Sequence, residues 1–150
     1  MKRRPRPVLD KDKTVVFDID GVLADASHRL HHLRKSPRDW RSFFADAAKD
    51  PVKTEVLRKL IEERQYASIT LMTSRPHNLA ESTMRWIHES GIPDCRVEFR
   101  RSTDHRSSER VKEDILARLG GPSRVARVYE DDEGVIDHLR SLGYCVIKVD

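Results

Sequence analysis

The chain has few of the residues that small secreted scaffolds depend on. Only two cysteines, Cys95 and Cys145, occur in 150 residues, both inside apolar runs. That excludes a disulfide framework and reads as two small buried hydrophobes of a reducing, cytoplasmic compartment. No apolar run approaches the ~20 residues of a membrane span, so no membrane partner is expected. The opening MKRRPRP lacks the apolar stretch of a signal peptide. Glycine is scarce, at six residues, and none belongs to a GxxxxGK[ST] phosphate loop. Internal repeats are absent. An excess of one charge is nearly absent too: 29 basic against 25 acidic residues leave +4, much of it in the opening tail. Residues 1–12 are therefore expected as a basic flexible tail, with weak attraction to a phosphate backbone as the sharper alternative.

What remains suits one domain, residues 13–150. Short β-prone runs at 14–19, 67–72, 96–99, 124–129 and 144–149 alternate with amphipathic segments at 52–64, 79–90, 109–119 and 135–142. Stops are legible at Gly91, Gly120-Gly121 and Gly143. Strands alternating with helices of this length specify an α/β fold of Rossmann-like type, three layers α/β/α around a parallel sheet. One connection is too long. After the first strand comes ASHRLHHLRKSPRDWRSFFADAAKD, which reads as two short helices parted at Ser36-Pro37. An insertion at the carboxyl end of a strand lies over the ligand crevice of an open α/β sheet, so residues 26–51 are expected to form a small helical cap.

The most informative stretch is TVVFDIDGVLAD, residues 14–25. An apolar strand delivers Asp18 and Asp20, which point the same way because side chains alternate. Two carboxylates at a buried strand tip are costly unless a cation neutralises them, and the natural candidate is Mg²⁺. The later strand ends carry matching chemistry. Thr73-Ser74-Arg75 follows the second strand, Lys112 lies on the helix after the third, and Glu130-Asp131-Asp132 follows the fourth. All of these elements reach one edge of a parallel sheet, where a hydroxyl, an ammonium and several carboxylates make phosphoryl-transfer machinery. A carboxylate can attack phosphorus, a second can carry the proton, and the hydroxyl and ammonium can steady the phosphoryl oxygens.

This ordered set resembles the haloacid dehalogenase superfamily of phosphohydrolases, over 14–149. The resemblance implies Asp18 as nucleophile and Asp20 as general acid/base, with Thr73 and Lys112 holding the phosphoryl group. It also implies Mg²⁺ bound by Asp18, the Asp20 main-chain carbonyl and Asp131; a one-residue slip would substitute Asp132. The segment FRRSTDHRSSERVKEDIL resembles the R…DxRxxxxxVK element of the 3′-phosphatase domain of bacteriophage-type polynucleotide kinase-phosphatases. By that resemblance Arg29, Arg75, Asp104 and Arg106 are substrate-binding. The substrate is then a phosphorylated polynucleotide end, DNA or RNA. With no phosphate loop here, a kinase or ligase would be a separate partner.

The alternatives are a nucleotidase or other small-molecule phosphatase of the same superfamily, and a non-catalytic nucleic-acid-binding module. His28, His31 and His32 share one helical face, suiting either a transition-metal site or a solvent-facing patch, of which the second is expected. Trp40, Phe43 and Phe44 are expected as the apolar underside of a cap helix, with base stacking as the alternative.

Overall fold

Period-two burial along the first strand places the layers. In β1 (Asp10–Asp18), Val15 and Phe17 pack into one core while Val16 packs into another. β2 (Ala67–Pro76) divides in the same way, Leu71 against Met72. The computed structural model describes residues 10–150 and adds β3 (Arg96–Arg100), β4 (Val125–Glu130) and β5 (Val146–Lys148). The sheet order is β3-β2-β1-β4-β5, and every pairing is parallel.

Five α-helices accompany the strands: α1 (Trp40–Ala45), α2 (Thr54–Glu63), α3 (Ala80–Glu89), α4 (Ser108–Arg118) and α5 (Glu133–Ser141). Val56 and Leu60 of α2 and Trp86 and Ile87 of α3 cover the Val15–Phe17 side. Val111, Ile115 and Leu116 of α4 and Val135, Ile136 and Leu139 of α5 cover the other. Each such side chain stabilises the fold by ~1.5–3 kcal/mol relative to exposure. Phe17 and Tyr129 stack across neighbouring strands with centroids 4.3 Å apart. This is the three-layer α/β/α architecture expected. Gly91, Gly120, Gly121 and Gly143 stand at positive φ just past α3, α4 and α5, at the stops marked in the sequence.

Several boundaries differ. β1 begins at Asp10 and pairs there with Ala67, so the strand reaches into the segment expected as tail. The rest of that tail, residues 1–9, lies outside the described residues. Cys145 is exposed rather than buried. Tyr144 and Val146 face the core at the start of the edge strand, and period two turns Cys145 and Ile147 outward. Cys95, half-buried, does sit against the core. No helix of the described residues is long and apolar enough to cross a membrane.

The insertion between β1 and α2 forms a 3-10 helix (Ser27–Arg34), α1, and a 3-10 turn (Asp46–Lys49). Asp39 caps α1 through the Ser42 amide. Trp86 Nε1 donates to the Asp50 carbonyl at 2.9 Å, tying the end of the cap to α3.

Candidate active site

Strand register assembles the site. Asp18 pairs with Met72 and Phe17 with Tyr129, so Thr73, within β2, and Glu130, the last residue of β4, fall on either side of Asp18. α4 brings Lys112 beneath them. Its Nζ lies 2.7 Å from Glu130 Oε2 and 3.4 Å from Asp18 Oδ2. All four side chains are buried, Thr73 and Glu130 completely. The other Glu130 oxygen accepts from the main-chain amides of Asp131 and Asp132, both at 3.2 Å. That turn carries the Asp131 carboxylate toward Asp18. The Asp132 side chain instead accepts from Val135 N and caps α5.

Asp18, Glu130 and Asp131 present oxygens all within 4.8 Å of one another, the one such grouping of potential ligands among the described residues. Burial, and then the charge of Glu130, pushes the Asp18 carboxyl well above the ordinary carboxylate range, against the opposing pull of Lys112. Burial and Glu130 likewise raise Asp131 to about 6. Burial works against the Lys112 ammonium, but Asp18 and Glu130 outweigh it and hold its pKa above the usual value. One ammonium thus faces three carboxylates.

This donor set fits a hard divalent cation: it is all oxygen, anionic in excess, and two of its acids resist ionising without added positive charge. Gly21 makes room for it. At φ +81, a Cβ there would stand 1.9 Å from Asp131 Oδ2. The Asp20 side chain, for which only the main-chain carbonyl was expected on the metal, stands apart from the grouping.

Asp20 faces two arginines instead. Arg75 donates from Nε to Oδ2 at 3.0 Å and from Nη2 to Oδ1 at 2.6 Å, and Arg29 Nη2 adds a 2.5 Å bond to Oδ1. Burial opposes ionisation of Asp20, but Arg75 and then Arg29 hold its carboxyl below the ordinary value. The resemblance made both arginines substrate-binding, yet neither rims an open mouth: Arg29 is 0% exposed and Arg75 3%. Arg29 also donates Nε and Nη2 to Asp50 and Nη1 to the Phe43 carbonyl, with its guanidinium over the Phe43 ring. Such a cation is stable in the interior only when its donors are committed to protein acceptors. Arg75 Nη1 donates to Thr83, while its main-chain amide donates to the Thr73 hydroxyl at 3.0 Å.

Asp104 and Arg106 lie together in the loop between β3 and α4. Arg106 is largely solvated there, bonding Asp104 and Asp114 rather than any acid of the cluster. His28 and His32 pair separately, with Asp50 and Asp46, so the histidines build no shared metal site. Asp50 escaped the sequence reading. It is a fully buried carboxylate holding both Arg29 and His28, but 21 residues from Arg29 no local pattern separates it from a solvated acid. Trp40 departs from expectation: Phe43 is buried, whereas Trp40 is 48% exposed.

Comparison with known proteins follows this geometry. The family described as the polynucleotide kinase PNKP phosphatase domain matches residues 12–150. No curated protein matches the chain. Among solved structures, a chain of the Pnkp1/Rnl/Hen1 complex superposes over 93% of this chain, with TM-score 0.77 and 21% identity. A chain of the Pnkp1/Rnl/Hen1 RNA repair complex does so over 99%, with TM-score 0.74 and 21% identity. The present chain spans under half of either, 46% and 47%. A haloacid dehalogenase-like hydrolase from Streptococcus pneumoniae matches over 92% of this chain and 84% of its own, with TM-score 0.69 and 12% identity. At these identities the solved structures show a shared fold.

Proposed function

The chain belongs to the family of polynucleotide kinase PNKP phosphatase domains, phosphatases of haloacid dehalogenase type, and from that membership we propose that it removes 3′-phosphates from polynucleotide ends through an aspartyl-phosphate on Asp18. The observation that carries the reading is the buried convergence of Asp18, Lys112, Glu130 and Asp131 at the strand ends. A structural ion pair would not need three carboxylates around one ammonium, nor a glycine kept open for the third. A protein that only bound nucleic acid would be better served without those charges.

Asp18 Oδ attacks phosphorus and the bond to the leaving 3′-oxygen breaks, with Asp20 delivering the proton that oxygen needs. Water then attacks the aspartyl-phosphate while Asp20 takes up its proton, which releases phosphate and regenerates Asp18. Thr73 and Lys112 hold the non-bridging oxygens as charge shifts onto them. Arg29 and Arg75 act first on Asp20, fixing its carboxylate in one orientation. A phosphate dianion entering beside Arg75 competes for that guanidinium, which loosens the hold on Asp20 and lets its pKa rise toward that of an acid.

Asp18 and Asp131, with the Asp20 main-chain carbonyl, would hold Mg²⁺, since the Glu130 oxygens are committed to Lys112 and two amides. Bound there, Mg²⁺ supplies charge neutralisation between an anionic nucleophile and an anionic substrate. The small cap supports a strand end as substrate, because a large closing lid would enclose a free metabolite. The named relatives of the Pnkp1/Rnl/Hen1 assemblies support a separate kinase or ligase partner, and the two free cysteines support a cytoplasmic setting.

The test is phosphate release from 3′-phosphorylated DNA and RNA oligonucleotides, mononucleotides and sugar phosphates, with Mg²⁺ or EDTA. Oligonucleotide ends should lead, EDTA should abolish release, and Asp18→Asn should lower it by ~10³-fold or more. Mononucleotides ahead by a wide margin, or undiminished turnover in Asp18→Asn, overturns the proposal.

A further inference from the structure

Helix α1 leaves a large ring uncovered. Trp40 is 48% exposed although an aliphatic or polar residue would serve at that helix start. Its ring lies 5.9 Å from Phe44 with planes 24° apart, and its edge meets buried Phe43 at 5.8 Å. Phe43 and Phe44 hold the indole in place as a half-exposed ledge.

The ledge walls a cleft. Two cavities, about 500 and 590 Å³, share Trp40, Phe44, Pro76 and Asn78. The facing wall is the carboxyl end of β2: Arg75 lines one cavity and Ser74 the other. Thr73 precedes Ser74 directly and Pro76 by three residues, at most ~11 Å of extended chain. Arg75, in the wall of one cavity, also bonds Asp20, so the cleft runs beside that carboxylate.

Its charge is unbalanced. Arg38 lines one cavity and Arg41 the other, and neither has an ion-pair or hydrogen-bond partner among the described residues. Arg100 directs its donors to the carbonyls of Ser74, Asp104 and Arg106, and the one carboxylate whose charge it meets, Asp104, is shared with Arg106. Asp104, an acid in the same wall, is already paired with Arg106. Exposed π-faces beside unpaired guanidiniums match a nucleotide strand, with bases for the rings and phosphodiesters for the cations. An apolar partner would leave the arginines unsatisfied.

We propose that this cleft is a nucleobase subsite, in which the base of the terminal 3′-phosphorylated nucleotide stacks on Trp40 while Arg38 and Arg41 face the strand's phosphodiesters. It rests on the reading of the chain as a polynucleotide phosphatase.

The test compares two 3′-phosphorylated oligonucleotides differing only at the last nucleotide, one bearing its base and one abasic. In the parent chain the base-bearing end has the higher kcat/KM. Trp40→Ala lowers the ratio between the two roughly 5- to 150-fold, as loss of one base–aromatic stack implies, and does so through KM. Trp40→Phe restores most of it. Binding of the base-bearing oligonucleotide also quenches fluorescence in Asp18→Asn, and most of the quenching is lost when Trp40→Phe is added, any remainder coming from Trp86, which is 4% exposed in the wall of one cavity. An unchanged ratio in Trp40→Ala overturns the subsite and leaves the phosphatase reading standing. A parent chain that hydrolyses small phosphomonoesters and neither oligonucleotide overturns that reading, and the subsite with it.

Discussion

Asp50→Asn isolates the arm that holds Asp20. The side chains of Asp50 and Arg29 are both 0% exposed. Asp50 accepts Arg29 Nε at 2.9 and 3.2 Å and Nη2 at 2.6 Å. The amide keeps the shape of the acid and leaves the main-chain carbonyl that accepts Trp86 Nε1, but it removes the charge and one of the two oxygens that accept from Arg29. Removing one partner of a buried pair costs ~3–5 kcal/mol. Here Asp20, 26% exposed, remains as counter-ion to Arg29, which argues for the lower end, about 3 kcal/mol. For a domain of this length that lowers the midpoint of thermal unfolding by roughly 6–12 °C. A second effect separates positioning from bulk stability. With Asp50 neutral, the charge of Arg29 falls wholly on Asp20, whose pKa drops further and whose capacity to hand over a proton falls. Well below the new midpoint, kcat should fall about 10-fold or more while KM holds or decreases, because the site has become more positive. Thermal unfolding by circular dichroism and steady-state kinetics on one preparation decide the matter. A midpoint shift under 2 °C refutes the claim of a committed buried pair. A full shift with unaltered kcat refutes the link from Asp50 through Arg29 to Asp20.

Gly21→Ala places a Cβ 1.9 Å from Asp131 Oδ2 at φ +81. It should cost ~1–2 kcal/mol in backbone strain and, by displacing Asp131, raise the Mg²⁺ concentration for half-maximal activity about 10- to 100-fold. Gly91→Ala, at φ +76 with open space around it, shares the strain and leaves Mg²⁺ dependence as in the parent; equal Mg²⁺ curves for all three proteins would contradict the placement of Asp131. The metal-free chain should be more stable near pH 4.5 than near pH 7.5. Asp131 has its pKa raised from 3.8 to about 6, so between those values the native state keeps a proton that the unfolded chain has released, and stability is lost as pH rises. The shift corresponds to ~3 kcal/mol, which partial exposure and screening reduce to about 1–2. Asp20, with its lowered pKa, acts in the opposite sense only below about pH 4. Denaturant titrations in EDTA and in Mg²⁺ measure this, and a metal-free stability that climbs from pH 4.5 to 7.5 would contradict it.

Asp18, Thr73 and Lys112 were legible because each sits at a fixed place on a locally periodic element. β1 ends at Asp18 and α4 begins at Ser108, each within one residue of the pattern, whereas β2 runs past the expected 72 to Pro76 and carries Thr73 inside it; parallel pairing does the rest. Asp131 against Asp132 was a question of one residue, beyond what a strand boundary resolves. Which of the two carboxylates stands beside Asp18 follows from Glu130, which accepts both following amides, and from α5, which takes Asp132 as its cap. Arg29 and Arg75 were named by the family resemblance alone. Their burial depended on Asp50 and Thr83, which come from the end of the cap and from α3.

The order of strands and helices, the parallel sheet and the strand-tip acids follow from periodicity and from the cost of burying like charges, which act over neighbouring residues and so are written in the chain itself. Which cations meet which carboxylates was settled only by folding, because ion pairing in the interior depends on desolvation and on groups distant in the chain, 21 residues apart for Arg29 and Asp50 and 55 for Arg75 and Asp20. The same holds for Trp40. Its helical spacing with Phe43 and Phe44 implied a buried face, but α1 is six residues long and covers only Phe43 fully, leaving the tryptophan over the cleft at the carboxyl end of β2.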